Sequence, residues 1–236
     1  MKRNQSGFTL IEIAIVLVII GLLLGGILKG QELINSAKVK NLATDFRNVP
    51  VYLYGYQDKF KALPGDDANV VAHLGATSGA TLATTPATCN NSAAAPCTGN
   101  GVIDGVWNSP TTTDETFLFW QHVRLAGLAA GPTSTADPAY LPTNASGGTI
   151  GVQSGSSNAA VNPIKDASNN PIRGSYVICS TGILGKFVLQ LDIQMDDGKT
   201  ETGSMMAVPT GSPANTAATL TTTIDPAASY TVCMGV

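Results

Sequence analysis

Charge is scarce in this chain. Only 12% of its 236 residues are Asp, Glu, Lys or Arg, and the formal net charge is −3. The 13 basic residues are scattered, with no basic run interleaved with aromatics. That excludes a polybasic nucleic-acid face. Histidine is nearly absent: His73 and His122 are the only two, and the four cysteines contain no C-x-x-C. A zinc centre therefore has no ligand spacing to rest on. An enzyme would likewise need a convergent set such as Ser/His/Asp or a metal cluster, and none is apparent. No cofactor and no metal are expected. Proline is missing from the apolar N-terminal stretch, and no A-x-A-type site precedes Lys29. A secretory signal peptide would carry such a site after its short apolar region, so the stretch reads as kept.

That stretch is what the rest of the chain is organised around. The chain begins MKRNQSG and continues FTLIEIAIVLVIIGLLLGGILKG. Phe8 to Leu28 is 21 residues with a single charge, Glu12. This length is enough for a helix to cross a bilayer. Lys2 and Arg3 favour a cytoplasmic N-terminus, with the bulk of the chain outside. A carboxylate inside such a helix costs about 2.5–3.5 kcal/mol on insertion scales and is usually paired or functional. Lys2 and Arg3 are in-chain candidates for the pairing. A cut between Gly7 and Phe8 would create another, the new amino group of Phe8, from the same chain or a neighbour. Gly21, Gly25, Gly26 and Gly30 punctuate the helix, each at a cost of roughly 1 kcal/mol relative to alanine. They suit either local unwinding or close helix–helix packing. An ordinary membrane anchor would explain the apolar run and the basic leader, but not Gly7-Phe8 beside an intramembrane Glu12.

The string G-F-T-L-I-E followed by some twenty apolar residues resembles the N-terminal signature of type IV pilins and of the related pseudopilins of type II secretion. The resemblance covers Lys2 to about Gly30. It implies cleavage after Gly7 by prepilin peptidase, N-methylation of Phe8, and a role for Glu12 as the carboxylate that neutralises a neighbour's amino terminus during assembly. Many pilins kink this helix with a proline after its apolar part; here the glycines stand instead.

Beyond Lys29 the apolar residues Ile34, Ala37, Leu42, Phe46, Val49 and Leu53 follow a helical stripe to about Phe60. Pro50 lies inside it and predicts a kink or break near Asn48–Pro50 with a helical restart. Ala62-Leu63-Pro64-Gly65-Asp66-Asp67 reads as the closing turn, and its A-L-P-G-D string resembles one frequent in a branch of pilin-like proteins. A short helix over Ala68–Leu74 comes next, carrying His73 in a surface or packing role. The tracts Ala76–Ala95 and Gly131–Asn170, poor in large apolar residues, read as exposed loops. Thr98 to Gly105 contains N-G-x-I-D, like the middle of an EF-hand. Aligned on Gly101, however, ligand positions fall on Pro96, Thr98 and Trp107, so a glycine-rich turn is the better reading. Asp114 to Ala129 reads as a helix with an apolar face, capped by Thr113 or Asp114 and stopped at Gly131-Pro132. Glu115, His122 and Arg124 on it are read as surface or packing residues rather than a catalytic group. Tyr176–Cys179 reads as a strand. Phe187–Met195 reads as another, because Phe187, Leu189, Leu191 and Ile193 alternate with Val188, Gln190, Asp192 and Gln194. Asp196-Asp197-Gly198-Lys199 would be its hairpin turn, and Ser204–Val208 would pair back. Asp192, Asp196 and Asp197 offer calcium ligands, though a solvated turn is the plainer reading. Ser229–Met234 is a last strand.

All four cysteines follow the apolar segment, in what would be an oxidising compartment. Three connectivities are open. Cys89–Cys97, closing a short loop, and Cys179–Cys233, tying the last strand to an earlier one, are favoured; the C-terminal disulfide loop common among pilins supports the second.

The expected fold is α+β and pilin-like. A leader (1–7), a transmembrane or filament-core helix (8–28) and an amphipathic continuation (29–60) precede a disulfide-stapled head domain (61–236) on a small antiparallel sheet. By resemblance the chain is a structural subunit, not an enzyme. It would be a major or minor pilin that waits in the inner membrane as a single-pass protein with its C-terminus in the periplasm. Prepilin peptidase, an assembly platform protein and an ATPase would be its partners before it joins an extracellular filament. A pseudopilin of type II secretion is one alternative, and a membrane-anchored periplasmic enzyme or binding module is another.

Overall fold

The computed structural model describes residues 10–86, 89–90 and 97–236. The chain divides into two units, residues 1–38 and 39–236. Helix α1, Leu10–Phe60, enters both. In the first unit the described residues are all helical and nearly all exposed. In the second, α1 buries Val39, Leu42, Ala43, Phe46, Val49, Leu53 and Tyr56. The three- and four-residue spacing sets these side chains on one face. The sequence stripe is therefore in register from Leu42 on, but its first members are not in the core: Ile34 and Ala37 are exposed. No break and restart occurs at Asn48–Pro50: α1 runs through Pro50 as one helix. Proline forfeits one helix bond, and the buried anchors on either side, Phe46, Val49 and Leu53, keep the turn in place.

After α1 come α2 (Val70–Leu74), α3 (Glu115–Leu125), β1 (Ile150–Ser154), β2 (Ile164–Lys165), β3 (Tyr176–Leu184), α4 (Gly185–Met195), β4 (Met205–Pro209), β5 (Thr216–Ala217) and β6 (Ser229–Gly235). The main sheet has the order β1-β3-β6-β4 and is antiparallel throughout; β2 and β5 form a small parallel pair. Successive side chains of a strand point to opposite faces. Ile178, Val232, Met234, Met205 and Ala207 thus meet α1, α3 and α4 on one face. Val177, Cys179, Cys233, Met206 and Val208 join Ile164, Ile172 and Ala218 on the other. Both faces are covered, which is why Tyr176–Cys179 and Met205–Val208 read as nearly continuous apolar runs.

Three further expectations are corrected. Phe187–Met195 is not a strand but helix α4, with Phe187, Val188, Leu191 and Asp192 on its buried side and Ile193 70% exposed. The Asp196–Lys199 turn therefore closes no hairpin. Met205–Pro209 pairs instead with β6, which lies between β3 and β4. Finally, Gly131–Asn170 is not all exposed loop. It supplies edge strand β1, buried along its whole length. Hydrogen bonds take the place of apolar bulk there: Gln153 accepts the Trp107 N–H (3.0 Å) and donates to the Val161 carbonyl (2.9 Å). Asn144 donates to Ser180 Oγ and the Thr181 carbonyl, both at 2.7 Å.

The structure holds the disulfides Cys89–Cys97 and Cys179–Cys233. Cys179 and Cys233 lie directly opposite each other in the β3–β6 register. The Tyr176–Val236 pair exchanges both backbone hydrogen bonds, so by alternation Cys179–Cys233 is a non-hydrogen-bonded pair, where Cα atoms approach most closely. Their Cα separation is 4.0 Å.

Candidate functional site

Three groups of residues bear on function. The first is α1 from Leu10 to Leu28. Its large apolar side chains are exposed on every side rather than along one stripe. A helix apolar all round belongs in a membrane or inside a bundle. Among the described residues, α1 is the one helix long and apolar enough to span a membrane. Glu12 lies in its first turn and is exposed. Gly7 and Phe8 fall outside the described residues. A Cβ placed on Gly21, Gly25, Gly26 or Gly30 would meet nothing within 4 Å. Packing within the chain therefore does not require these glycines. Gly21/Gly25 and Gly26/Gly30 each stand four apart, the spacing that lets two apolar helices approach closely.

The second group ties the end of α1 to the head. Gly65 turns with φ +93°, and its N–H donates to His122 Nδ1 (2.9 Å), while the His122 Nε2–H donates to the Thr81 carbonyl (2.9 Å). Asp66 collects the backbone N–H groups of Gly99, Asn100 and Gly101. Asp67 accepts Tyr56 Oη–H (2.8 Å), the Asn69 N–H (2.9 Å) and His73 Nδ1 (2.7 Å). The N-G-x-I-D turn thus presents backbone donors to a carboxylate, the opposite of what a cation would need. Asp104, in the same turn, gives its N–H to Glu115 Oε2 (2.7 Å). Glu115 is fully buried, and among the described residues Oε1 has no hydrogen-bond partner. The Thr98 hydroxyl is close enough to stabilise the carboxylate slightly but donates to the Ala83 carbonyl (3.0 Å). Burial, reinforced by the charges of Asp66 and Asp104, pushes the Glu115 carboxyl up to about 8. Burial likewise raises Asp66 to about 6 against the pull of its three amides. It also lowers His122, which stays neutral.

Glu115, His122 and Arg124 share α3 but serve separate partners. The Arg124 guanidinium donates to the carbonyls of Ala130 (3.3 Å), Pro132 (2.8 Å) and Tyr140 (2.6 Å). No nucleophile–base pair is assembled among them. Helix α3 is buried from Glu115 through Arg124, so these polar residues are held as packing elements. Sequence pattern alone assigns Asp66 no role. Its signal is two adjacent aspartates after a turn glycine, with a second glycine-rich turn available to donate to them.

The third group is Asp192, Asp196 and Asp197, at and just beyond the end of α4, each with a carboxylate oxygen within 4.8 Å of the others. Burial, with the charges of Asp196 and Asp197, pushes Asp192 up to about 7.

Residues 2–28 match the family model described as the prokaryotic N-terminal methylation motif. The chain thus carries the signature of type IV pilins and pseudopilins, a family of structural subunits rather than enzymes. Its long apolar helix, small antiparallel sheet and two disulfides make an α+β architecture consistent with the pilin-like fold. The motif and the apolar N-terminal part of α1 fit a single-pass, membrane-anchored pilin or pseudopilin. No curated protein and no solved structure matches the chain.

Proposed function

We propose that the chain is a structural subunit, major or minor, of a type IV pilus. The observation that carries this is the coincidence of Gly7-Phe8 and Glu12 with a helix apolar on every side. The precursor waits in the inner membrane with its C-terminal head in the periplasm. Prepilin peptidase cuts after Gly7 and methylates the new N-terminal Phe8. An assembly platform and its ATPase then add the subunit to a filament whose core is the bundled α1 helices. Close packing of the apolar Leu10–Leu28 helices against one another holds that bundle together, since in lipid their apolar surface is already out of water. Glu12 meets the Phe8 amino group of a neighbour, which offsets the cost of holding a carboxylate in an apolar core.

Glu12→Gln should leave membrane insertion intact and cut the yield of sheared filaments by an order of magnitude or more. Wild-type yields from this variant would remove the carboxylate from the mechanism. A bulky residue at Gly7 should leave an uncut precursor, visible as a slower band and a Met1 or Lys2 N-terminal peptide. Normal processing there would mean the cut lies elsewhere. The direct test is intact-mass and N-terminal peptide mass spectrometry on filaments sheared from native cells. An abundant chain beginning at N-methyl-Phe8 supports a pilus subunit. The same chain at trace level or confined to membranes would point to a minor pilin or a pseudopilin, and an uncut chain would leave only an anchor.

A further inference from the structure

Asn100-Gly101 is the only Asn-Gly pair in the chain. A glycine after an asparagine leaves the intervening backbone nitrogen uncrowded, and a Cβ built on Gly101 would meet nothing within 4 Å. Both residues are exposed, so water reaches them. Asn100 Oδ1 accepts the Val102 N–H (2.8 Å). That bond closes a ring through Gly101 and folds the side chain back on its own backbone. Asn100 Nδ2–H donates to Asp104 Oδ2 (2.8 Å), which fixes the orientation of the side-chain amide. The Gly101 N–H donates to Asp66 Oδ2 (2.7 Å). Each polar atom of an attack by the backbone on the side chain is therefore held: the nitrogen that would add, the oxygen that would take up charge and the nitrogen that would leave.

We infer that Asn100-Gly101 is a self-modification site, at which the Gly101 nitrogen closes on the Asn100 side chain and the asparagine becomes aspartate or isoaspartate. The Gly101 nitrogen adds to Asn100 Cγ while Asp66 Oδ2 takes its proton. Charge developing on Oδ1 meets the Val102 N–H. The Cγ–Nδ2 bond then breaks, the proton passes through solvent to the departing nitrogen, and ammonia leaves a cyclic imide. Water opens the imide at either carbonyl. The net change consumes one water and releases one ammonia. Asp66 lies within the 2.6–3.2 Å reach required of a general base, and Val102 N–H at the distance of an oxyanion donor. The backbone N–H groups of Gly99 and Asn100 hold Asp66 in that position. Burial raises its carboxyl to about 6, so it is a stronger base than an ordinary aspartate and still ionised at neutral pH. The product places a new carboxylate beside Asp66 and Asp104, where Asp104 now accepts an N–H. The grip of the turn on Asp66 therefore weakens irreversibly, and the converted chain should unfold at a lower temperature.

The test compares the full chain folded in detergent with the same chain unfolded in guanidinium chloride, disulfides intact, at one neutral pH and temperature. Conversion is followed by peptide mass spectrometry, as the single-dalton gain of amide-to-acid exchange, and by separating the aspartate and isoaspartate peptides. Asn100 should convert at least about tenfold faster in the folded chain, within the roughly 10²–10⁴-fold that a positioned acid–base group supplies. Asn108, followed by Ser109, is the internal control and should gain nothing from folding. Asp66→Asn should lower the folded rate by about 10²-fold and leave the unfolded rate unchanged. If that variant does not fold, the wild-type comparison decides alone. A folded wild-type rate at or below the unfolded one overturns the site. So does a folded Asp66→Asn chain that converts as fast as the wild type.

Discussion

Glu115→Gln is expected to stabilise the protein at pH 8.5 by roughly 2–5 kcal/mol while leaving its stability near pH 4 unchanged. Glu115 is fully buried, and its carboxyl is raised to about 8 by burial and by the charges of Asp66 and Asp104. An acid whose pKa is raised on folding binds its proton more tightly in the native state. The wild-type protein therefore keeps full stability below the unfolded pKa, near 4.5. It loses stability as the pH climbs from there towards 8, the reverse of the usual salt-bridged carboxylate. Asp66, raised to about 6, and Asp192, raised to about 7, push in the same direction over lower windows. Glutamine cannot ionise, and its amide oxygen can still accept the Asp104 N–H that Oε2 accepts now at 2.7 Å. Urea unfolding of the full chain in detergent at pH 4, 6 and 8.5 would display the difference. Parallel profiles for variant and wild type would show that Glu115 is already ionised at neutral pH and that the buried charge is tolerated.

The second large effect is a single methyl group. Gly65→Ala should destabilise the head by roughly 3–5 kcal/mol, the sum of backbone strain and forced overlap. Gly65 has φ +93°, which disfavours any L side chain, and an added Cβ would overlap the backbone carbonyl oxygen of Glu115. That carbonyl belongs to a buried helix and cannot swing away. The Gly65 N–H bond to His122 and the Asp66 cradle would shift with it, so the loss should be felt at both α1 and α3. Gly101→Ala is the control. Its φ of +82° is similar, but a Cβ there would meet nothing within 4 Å, so it should lose only the strain, about 1–2 kcal/mol. Equal losses in the two variants would mean that the close approach at Gly65 contributes nothing.

The sequence by itself determined the features that depend on local pattern. The run from Phe8 to Leu28, Glu12 within it and Gly7-Phe8 before it can be read without coordinates, because a bilayer imposes a length and a family signature is contiguous. The stripe Leu42, Phe46, Val49, Leu53 could be read because one helix face was enough to describe it. The α+β class followed from the resemblance together with the strands read at Tyr176–Cys179, Ser204–Val208 and Ser229–Met234. The features that only the tertiary structure decided were set by competition for space. Phe187–Met195 fits two periods equally: Phe187, Leu189, Leu191 and Ile193 alternate, while Phe187, Val188 and Leu191 share a helix face. The strand reading fails because both edges of β3 are already taken by β1 and β6. Gly185 also docks on the Asp225–Ala228 turn, with its N–H on the Ala228 carbonyl (2.9 Å), so Phe187–Met195 is left the face of the sheet rather than its edge. Once that segment is helical, Asp192 falls on the buried side. No count of charge along the chain reveals it, since an aspartate before D-D-G reads as a solvated turn. The same holds for Asp66, Glu115 and the Asn- and Gln-rich strand support around β1. A polar residue is buried only when partners from distant segments reach it, and those partners are brought together by the fold, not by neighbours in sequence.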